Sequence, residues 1–329
     1  MIFKLSTWCK SVVFIFFGLF TIGTIIVTVI IDPYGELNIF RTDFNKKKYA
    51  SSYTTGPFLL SEKLKYDRYS LVFGTSRTQL INSSMIDGKI LNFSTSLYAN
   101  PSDVYHVLKQ LNERQLSNID TIYYLVDTHV FTDKKSLYEN LDLHSKRDFF
   151  KQVFMSLDSM KIRNAVNCVN NNIKGYDYYI NEFGENIHDT HRIFDPNSKI
   201  EHFRIPAFTK KSIAYLKMID TLCKSKKLKI KYFTPVYNIW YLKKVDMELY
   251  RLQYKAFLTA IDQIYDFHLL NSISYDYHYF TNVDHANTEA NRIIMKLLLS
   301  EEKSVIINNK NIDYRFESII RKIKMYDKL

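Results

Sequence analysis

Glycine and cysteine are scarce in this sequence, with 8 and 3 of 329 residues. A motif that depends on several closely spaced glycines is therefore not expected. No Cys-x-x-Cys pair occurs, which excludes a zinc ribbon and a thioredoxin-like site, and we expect no metal and no cofactor. Cys168 and Cys223 leave two alternatives, one disulfide in an oxidising compartment or two free buried thiols.

The remaining composition is that of a folded protein, with 46% hydrophobic and 24% charged residues. Tyrosine and phenylalanine are abundant (25 and 23), which predicts an aromatic-rich core. The net charge of +11 suits nucleic acid, anionic lipid or an acidic glycan. No aromatic-interleaved nucleic-acid motif accompanies the scattered lysines, so we expect solvated faces near an anionic membrane and no nucleic-acid partner.

A single uncharged apolar run covers residues 11–31 and is 21 residues long. About 20 apolar residues cross the hydrocarbon core as a helix, so the run predicts one transmembrane segment with lipid contacts along its length. No Ala-x-Ala cleavage pattern follows Ile31, which favours an uncleaved signal anchor over a removed signal peptide.

Charges on the two sides of the run predict its orientation. Lys4 and Lys10 lie on the N-terminal side, whereas Asp32 and Glu36 follow on the other side. The positive-inside rule then makes residues 1–10 a cytoplasmic tail and places the domain outside the inner (cytoplasmic) membrane.

Apolar strands alternate with amphipathic helices in residues 67–303. This alternation predicts an α/β domain built on a doubly wound parallel sheet, preceded by a juxtamembrane segment at 32–66. We expect an irregular insertion near 170–206 and a basic C-terminal extension at 304–329. Strands are predicted at 69–73, 89–93, 121–126, 228–233 and 267–270, and helices at 102–116, 149–169, 209–222, 247–265 and 288–299.

The segment Gly74-Thr75-Ser76-Arg77 directly follows the first predicted strand. Sites in open α/β sheets form just beyond the carboxyl ends of strands. A serine at such a turn exposes its hydroxyl, and the backbone N–H groups there point at developing negative charge. Gly74 would permit the tight turn. The plainer alternative is that Ser76 caps a helix and Arg77 is a surface charge.

Asp284 and His285 lie late in the chain, just before the last predicted helix. An imidazole at that place can reach across the sheet edge and deprotonate Ser76. The alternative is a loop histidine with an ordinary structural role.

Two other tracts have plainer interpretations. The His-Asp-Thr-His tract at 188–191 is interpreted as a solvated loop. The aromatic run at 275–280 is interpreted as core packing or, alternatively, as a sugar-stacking platform.

These blocks resemble the SGNH (GDSL-like) hydrolase superfamily, in its membrane-anchored, cell-envelope branch. The resemblance is carried by the anchor, by Asp32-Pro33-Tyr34-Gly35 after it, by Gly74-Thr75-Ser76-Arg77 and by Asp284-His285. It implies a flavodoxin-like, three-layer α/β/α fold. It also implies that Ser76 is a nucleophile and His285 its base.

The family pattern has an acid three residues before this histidine, where the present sequence has Asn282. The nearest acid is Asp284, and the side chains of adjacent residues usually diverge. Asp276 and a Ser-His dyad without any acid are therefore alternatives to Asp284.

Two further family blocks are altered in this sequence. Ser94, just after Asn92, stands in place of an oxyanion-hole glycine, although its backbone N–H can still donate. Asp127 stands in the third block without the family's asparagine, and an ionised carboxylate there would repel an oxyanion.

The resemblance implies a serine esterase or acyltransferase acting on acyl esters of a cell-envelope polysaccharide. Its partners would be an envelope glycan or acylated sugar and, for acyl transfer, a multi-spanning membrane acyltransferase. The altered blocks favour the alternative, a catalytically inactive protein of the same fold that binds or scaffolds polysaccharide machinery.

Overall fold

The computed structural model describes residues 2–37, 39–40, 42–45, 56–94, 100–127, 136, 138–155, 159–174, 179–180, 186–187, 209–282 and 284–326. Most of the insertion expected near 170–206 lies outside these residues. The His-Asp-Thr-His tract at 188–191 also lies outside them, so its interpretation as a solvated loop stays a prediction.

The chain begins with one long apolar helix. Helix α1 (Ile2–Ile25) continues as a π-helical segment, Ile26–Ile31. The stretch Thr7–Ile31 has a mean hydropathy of 2.6 and is long and apolar enough to cross a membrane. The helix ends at Asp32, which adopts a left-handed conformation (φ 44°) that aspartate tolerates better than most residues.

A six-stranded mixed sheet forms the centre of the domain, in the order β2-β1-β3-β6-β7-β8. Neighbours from β2 to β7 run parallel, whereas β8 is antiparallel to β7. The expected parallel sheet is therefore found for five strands and is wrong at one edge. The strands are β1 Tyr69–Phe73, β2 Ile90–Phe93, β3 Ile119–Leu125, β6 Ile230–Phe233, β7 Ile264–Tyr265 and β8 Ile306–Ile307, with a separate antiparallel pair, β4 Tyr179–Ile180 and β5 Asn186–Ile187.

Ten further helices are described. The predicted helix at 102–116 is two helices, because the Asn112 side chain forms a capping box with Gln115 and starts a new one. The helices are α2 Gly56–Lys63, α3 Pro101–Gln110, α4 Glu113–Ser117, α5 Lys146–Met155, α6 Ser159–Lys174, α7 Lys210–Ser225, α8 Ile239–Leu242, α9 Met247–Phe257, α10 Thr288–Leu299 and α11 Ile312–Tyr326.

One helix and one strand were predicted in the wrong place. The helix expected at 247–265 ends at Phe257. The last two residues of the predicted range, Ile264 and Tyr265, form strand β7. The strand expected at 267–270 does not form. The backbone N–H of Phe267 donates instead to the Thr234 hydroxyl at 2.7 Å, so the sheet ladder ends before it.

Apolar side chains cover both faces of the sheet. Along β1, Leu71 and Phe73 enter one core cluster while Val72 enters the other, as the two-residue period of a strand requires. Residues 304–326, assigned from sequence to a C-terminal extension, add β8 to the sheet, and Phe316 of α11 lies in the first cluster. The sheet is thus buried on both sides.

The two cysteines of the domain are thiols and form no disulfide with each other. The Sγ of Cys168 lies 3.9 Å from the carbonyl oxygen of Phe44. Burial raises the pKa of the Cys223 thiol to about 12, which makes it a poor nucleophile at neutral pH.

Strand order places the candidate site. Strand β1 lies between β2 and β3, so the chain crosses to opposite sides of β1 and opens a crevice at the carboxyl ends of the three strands. Gly74, Ser94 and Asp127 follow β1, β2 and β3 and therefore lie at this edge.

Candidate active site

Ser76 begins a single 3-10 turn, Ser76–Thr78, directly beyond β1. The cap of this turn is Thr75, whose Oγ1 accepts the backbone N–H of Arg77 at 3.3 Å. The interpretation of Ser76 as a helix cap is therefore wrong. The Ser76 side chain is exposed, and its hydroxyl is available for other contacts.

Steric crowding favours glycine at position 74, because a side chain there would contact Thr78 and Leu125. A Cβ at this position would lie 2.1 Å from Oγ1 of Thr78 and 3.2 Å from Cβ of Leu125. Its φ is not positive, so the expected conformational reason for glycine does not apply. The close approach lets the turn after β1 pack directly on β3.

The structure brings Ser76 and His285 together. Ser76 Oγ lies 2.6 Å from Nε2 of His285, although 209 positions separate the two residues. On the other side of the ring, Nδ1 faces two oxygens, Oδ1 of Asp284 at 2.7 Å and Oδ1 of Asn282 at 2.9 Å. Both are acceptors, so Nδ1 carries the proton and Nε2 is free to accept from the serine hydroxyl.

Asp284 and Asn282 both reach the imidazole of His285. Asn282 Oδ1 also accepts the backbone N–H groups of Asp284 (3.1 Å) and His285 (3.0 Å), which fixes its amide orientation. The loop is thereby folded so that the adjacent side chains of Asp284 and His285 converge. Asp276, the other acid considered, instead contacts Nδ1 of His278 at 2.7 Å.

Arg77 joins two carboxylates beneath the site. Its Nη1 lies 2.6 Å from Oδ2 of Asp127, and its Nη2 donates to Oδ2 of Asp284. The guanidinium is largely buried and lies 5.6 Å from the ring centroid of Tyr237. Burial by itself lowers the pKa of Arg77, but the charge of Asp127 and its other neighbours raises it well above its ordinary value. Arg77 is thus a buried cation and not the surface charge of the plainer interpretation.

Asp127 is fully buried and also accepts from the Thr75 hydroxyl at 3.0 Å. Its carboxylate is therefore compensated by Arg77, which weakens the repulsion of an oxyanion that the sequence predicted. Asp127 thus holds two residues of the Ser76 turn in place, its cap Thr75 and Arg77.

Asn92 and Ser94 support the same turn from β2. The Asn92 side chain donates to the carbonyl groups of Thr78 (2.9 Å) and Ile81 (2.7 Å). Ser94 Oγ lies 2.8 Å from Oγ1 of Thr78 and donates to Oδ1 of Asn92. Both side chains are buried, and their hydrogen bonds position the turn that carries Ser76.

The sequence analysis assigned no role to Thr75 and did not single out Thr78 or Tyr237. A signal for Tyr237 was present, because it follows β6 closely and the carboxyl end of β6 lies beside that of β3. Among the described residues, no three His, Cys, Asp or Glu side chains form a metal site. Within the aromatic run at 275–280, Phe280 is buried in the second core cluster. Tyr277 and Tyr279 are partly buried and pack against that cluster.

The lowered pKa of Asp284 predicts that acid destabilises the folded domain. Burial raises its pKa, but the hydrogen bond with His285 and the charge of Arg77 outweigh this and lower it from 3.8 to about 2. The unfolded chain then binds this proton more tightly, so the contribution is complete above about pH 4 and is lost as the pH falls towards 2. We expect it to be roughly 2 kcal/mol.

This contribution can be measured by urea unfolding of the full chain in detergent at pH 5 and pH 2.5. The stability difference between wild type and Asp284→Asn should shrink at the lower pH. Asp276→Asn is the control, because its carboxylate contacts His278 at the same 2.7 Å but on the surface, where screening weakens the pair. A difference for Asp284→Asn that does not change with pH would contradict the assignment.

Comparison with known proteins gives no further assignment. No family model matches this chain, and no curated protein matches it.

Proposed function

We propose that this chain is a membrane-anchored serine esterase or acyltransferase of SGNH type, acting on acyl esters of a cell-envelope polysaccharide. The observation that carries the proposal is the hydrogen-bonded line from Ser76 through His285 to Asp284. An exposed hydroxyl, a base in the correct tautomer and an acid that orients this base are the parts of an activated nucleophile.

The chemistry follows from this line. Ser76 Oγ attacks the acyl carbonyl carbon while Nε2 of His285 takes its proton, and Asp284 stabilises the imidazolium. Backbone N–H groups of Ser76 and Ser94 bind the oxyanion. The tetrahedral intermediate collapses, His285 returns the proton to the leaving alcohol, and the acyl group stays on Ser76. Water or a sugar hydroxyl then accepts it by the same steps in reverse.

The strand order supports an SGNH-type assignment. Without the separate pair β4 and β5, the five parallel strands follow the order 2-1-3-4-5 of flavodoxin-like sheets. Apolar layers on both faces suit the three-layer arrangement of that fold.

The location and partners are proposed from the anchor and the resemblance. The N-terminus lies in the cytoplasm and the domain outside the inner membrane, since lysines precede the apolar run and acids follow it. The substrate is an envelope glycan or an acylated sugar. For acyl transfer, one span is too few to carry an acyl group across, so a multi-spanning membrane protein would supply it.

A catalytically inactive scaffold of the same fold is the second candidate. It is favoured by the altered blocks, because Asp127 is committed to Arg77 and offers no amide to an oxyanion. The two candidates differ in whether Ser76 is reactive.

Reaction of the full chain in detergent with a fluorophosphonate probe tests this difference. We expect one phosphonylated residue, Ser76, identified by peptide mass spectrometry. Ser76→Ala should lose the label, whereas Ser84→Ala, an exposed serine of the following turn, should keep it. A folded wild type that takes no label would favour the inactive scaffold.

A further inference from the structure

Helix α6 is joined by a buried ion pair to the short segment that follows the apolar N-terminal helix. Lys161 Nζ lies 2.8 Å from Oε2 of Glu36, and both side chains are completely buried. The Asn164 side chain also donates to the Tyr34 hydroxyl at 3.1 Å. A buried pair of this kind tolerates little displacement, because separating it would leave two unpaired charges inside the protein.

The same helix packs against the last turns of the apolar helix, Ile26–Ile31. The segment after the apolar helix is itself tied to that helix, because the Asn45 side chain donates to the carbonyl groups of Ile30 (2.6 Å) and Phe40 (2.9 Å). Helix α6 therefore lies at the level where the apolar helix ends, which is the level of the bilayer surface if that helix spans a membrane.

The contacts continue from α6 into the domain. Lys161 Nζ also donates to the carbonyl oxygen of Val153 in α5 at 2.9 Å. In the same helix, the ring of Phe149 packs edge-on against Phe58 of the core, with centroids 5.8 Å apart. The apolar helix, α6, α5 and the core thus form a continuous packed series, not a flexible tether.

Beside its buried face, α6 carries an exposed apolar stripe. Ile162, Val166 and Ile173 are 46%, 54% and 71% exposed. With 3.6 residues per turn they lie within about 40° of one another around the helix. Ile39 and Phe40, which lie in the segment after the apolar helix, are exposed as well. These five residues are called the juxtamembrane patch.

Basic residues border this patch. Arg163 and Lys174 are exposed on the polar side of α6, next to the stripe. An apolar stripe bordered by cations is the pattern of helices that lie in the bilayer interface, where the apolar side chains enter the acyl boundary and the cations meet anionic headgroups.

We propose that the juxtamembrane patch is inserted into the headgroup region of the bilayer on the domain side, with α6 as an interfacial helix. The occupant is lipid, because α6 packs against the last residues of the apolar helix and its exposed apolar stripe is bordered by the cations Arg163 and Lys174. The domain and its Ser76 are then held in one orientation to the bilayer. This proposal rests on the membrane assignment of the N-terminal helix and not on catalysis.

Site-directed fluorescence of the full chain in phosphatidylcholine–phosphatidylglycerol vesicles tests it. Single cysteines replace Val166 and Ile162 in a Cys9→Ser background and carry an environment-sensitive NBD label. The two other cysteines are buried and stay unlabelled. Phe14→Cys in the apolar helix reports the membrane assignment, and Leu252→Cys, an exposed apolar position on α9, is the matched control.

We expect labels at 166 and 162 to be quenched by shallow doxyl-labelled lipids at least about threefold more than the label at 252. Quenching at 14 without quenching at 166 would overturn the proposal and leave the anchor intact. No quenching at either would refute the anchor itself. Protection of 166 from iodide in native membranes but not in vesicles would also overturn it, in favour of a protein partner.

Discussion

His285→Ala should slow the phosphonylation of Ser76, and any ester turnover, by about 10²- to 10⁴-fold. The reason is the 2.6 Å contact between Nε2 and the serine hydroxyl, which supplies the base that an unassisted serine lacks. The variant should fold normally, because the imidazole is partly exposed and its removal leaves no large cavity. The rate constant for probe labelling under pseudo-first-order conditions measures the effect directly.

His278→Ala is the matched control for this experiment. Its imidazole contacts Asp276 through Nδ1 at 2.7 Å, as His285 contacts Asp284. Among the contacts of the described residues, only His285 has a serine hydroxyl on its other nitrogen. Equal labelling rates in the two variants would mean that the Ser76–His285 contact has no chemical consequence.

Arg77→Leu should destabilise the domain by about 3–5 kcal/mol, since it leaves the fully buried Asp127 without the Arg77 charge. It should also slow the labelling of Ser76, because Arg77 orients the carboxylate of Asp284 that holds His285. Thermal unfolding of the full chain in detergent, followed by circular dichroism, measures the first effect. Arg77 acts here as a positioning residue.

The surface pair Arg68–Asp120 is the control for burial. Its Nη2–Oδ1 distance of 2.6 Å equals that of the Arg77–Asp127 pair, but its side chains are 66% and 40% exposed against 9% and 0%. Arg68→Leu should cost at most about 1 kcal/mol. Adding Asp127→Asn to Arg77→Leu should recover part of the loss by removing the uncompensated charge. A loss as small as that of Arg68→Leu would show that the buried pair adds nothing to stability.

Local pattern was enough to predict most of the fold. Helix α10 forms at Thr288–Leu299 as its periodicity predicts, and β1 covers the apolar run at Tyr69–Phe73. One error occurs where a contact distant in sequence replaces a local one. Strand β7 ends at Tyr265. Two residues later, the backbone N–H of Phe267 donates to the side-chain hydroxyl of Thr234, which directly follows β6, and not to the backbone of a neighbouring strand.

The candidate site was partly predictable for the same reason. Ser76 follows strand β1, and His285 precedes helix α10. Such positions lie at the edge where sites form in open α/β sheets. Whether Asp284, Asn282 or Asp276 would orient His285 was not predictable. That choice depends on loop hydrogen bonds, such as those of the Asn282 amide, that fold adjacent side chains towards one ring.

The sequence by itself determined the apolar helix, the alternation of strands and helices, and the two short segments that carry the serine and the histidine. These follow from hydrophobic period and turn chemistry within a few residues. Only the tertiary structure decided the role of Arg77, whose partners Asp127 and Asp284 lie 50 and 207 positions away. Charge pairing and burial depend on distance in space, and a chain brings such residues together only when its strands have assembled into one sheet.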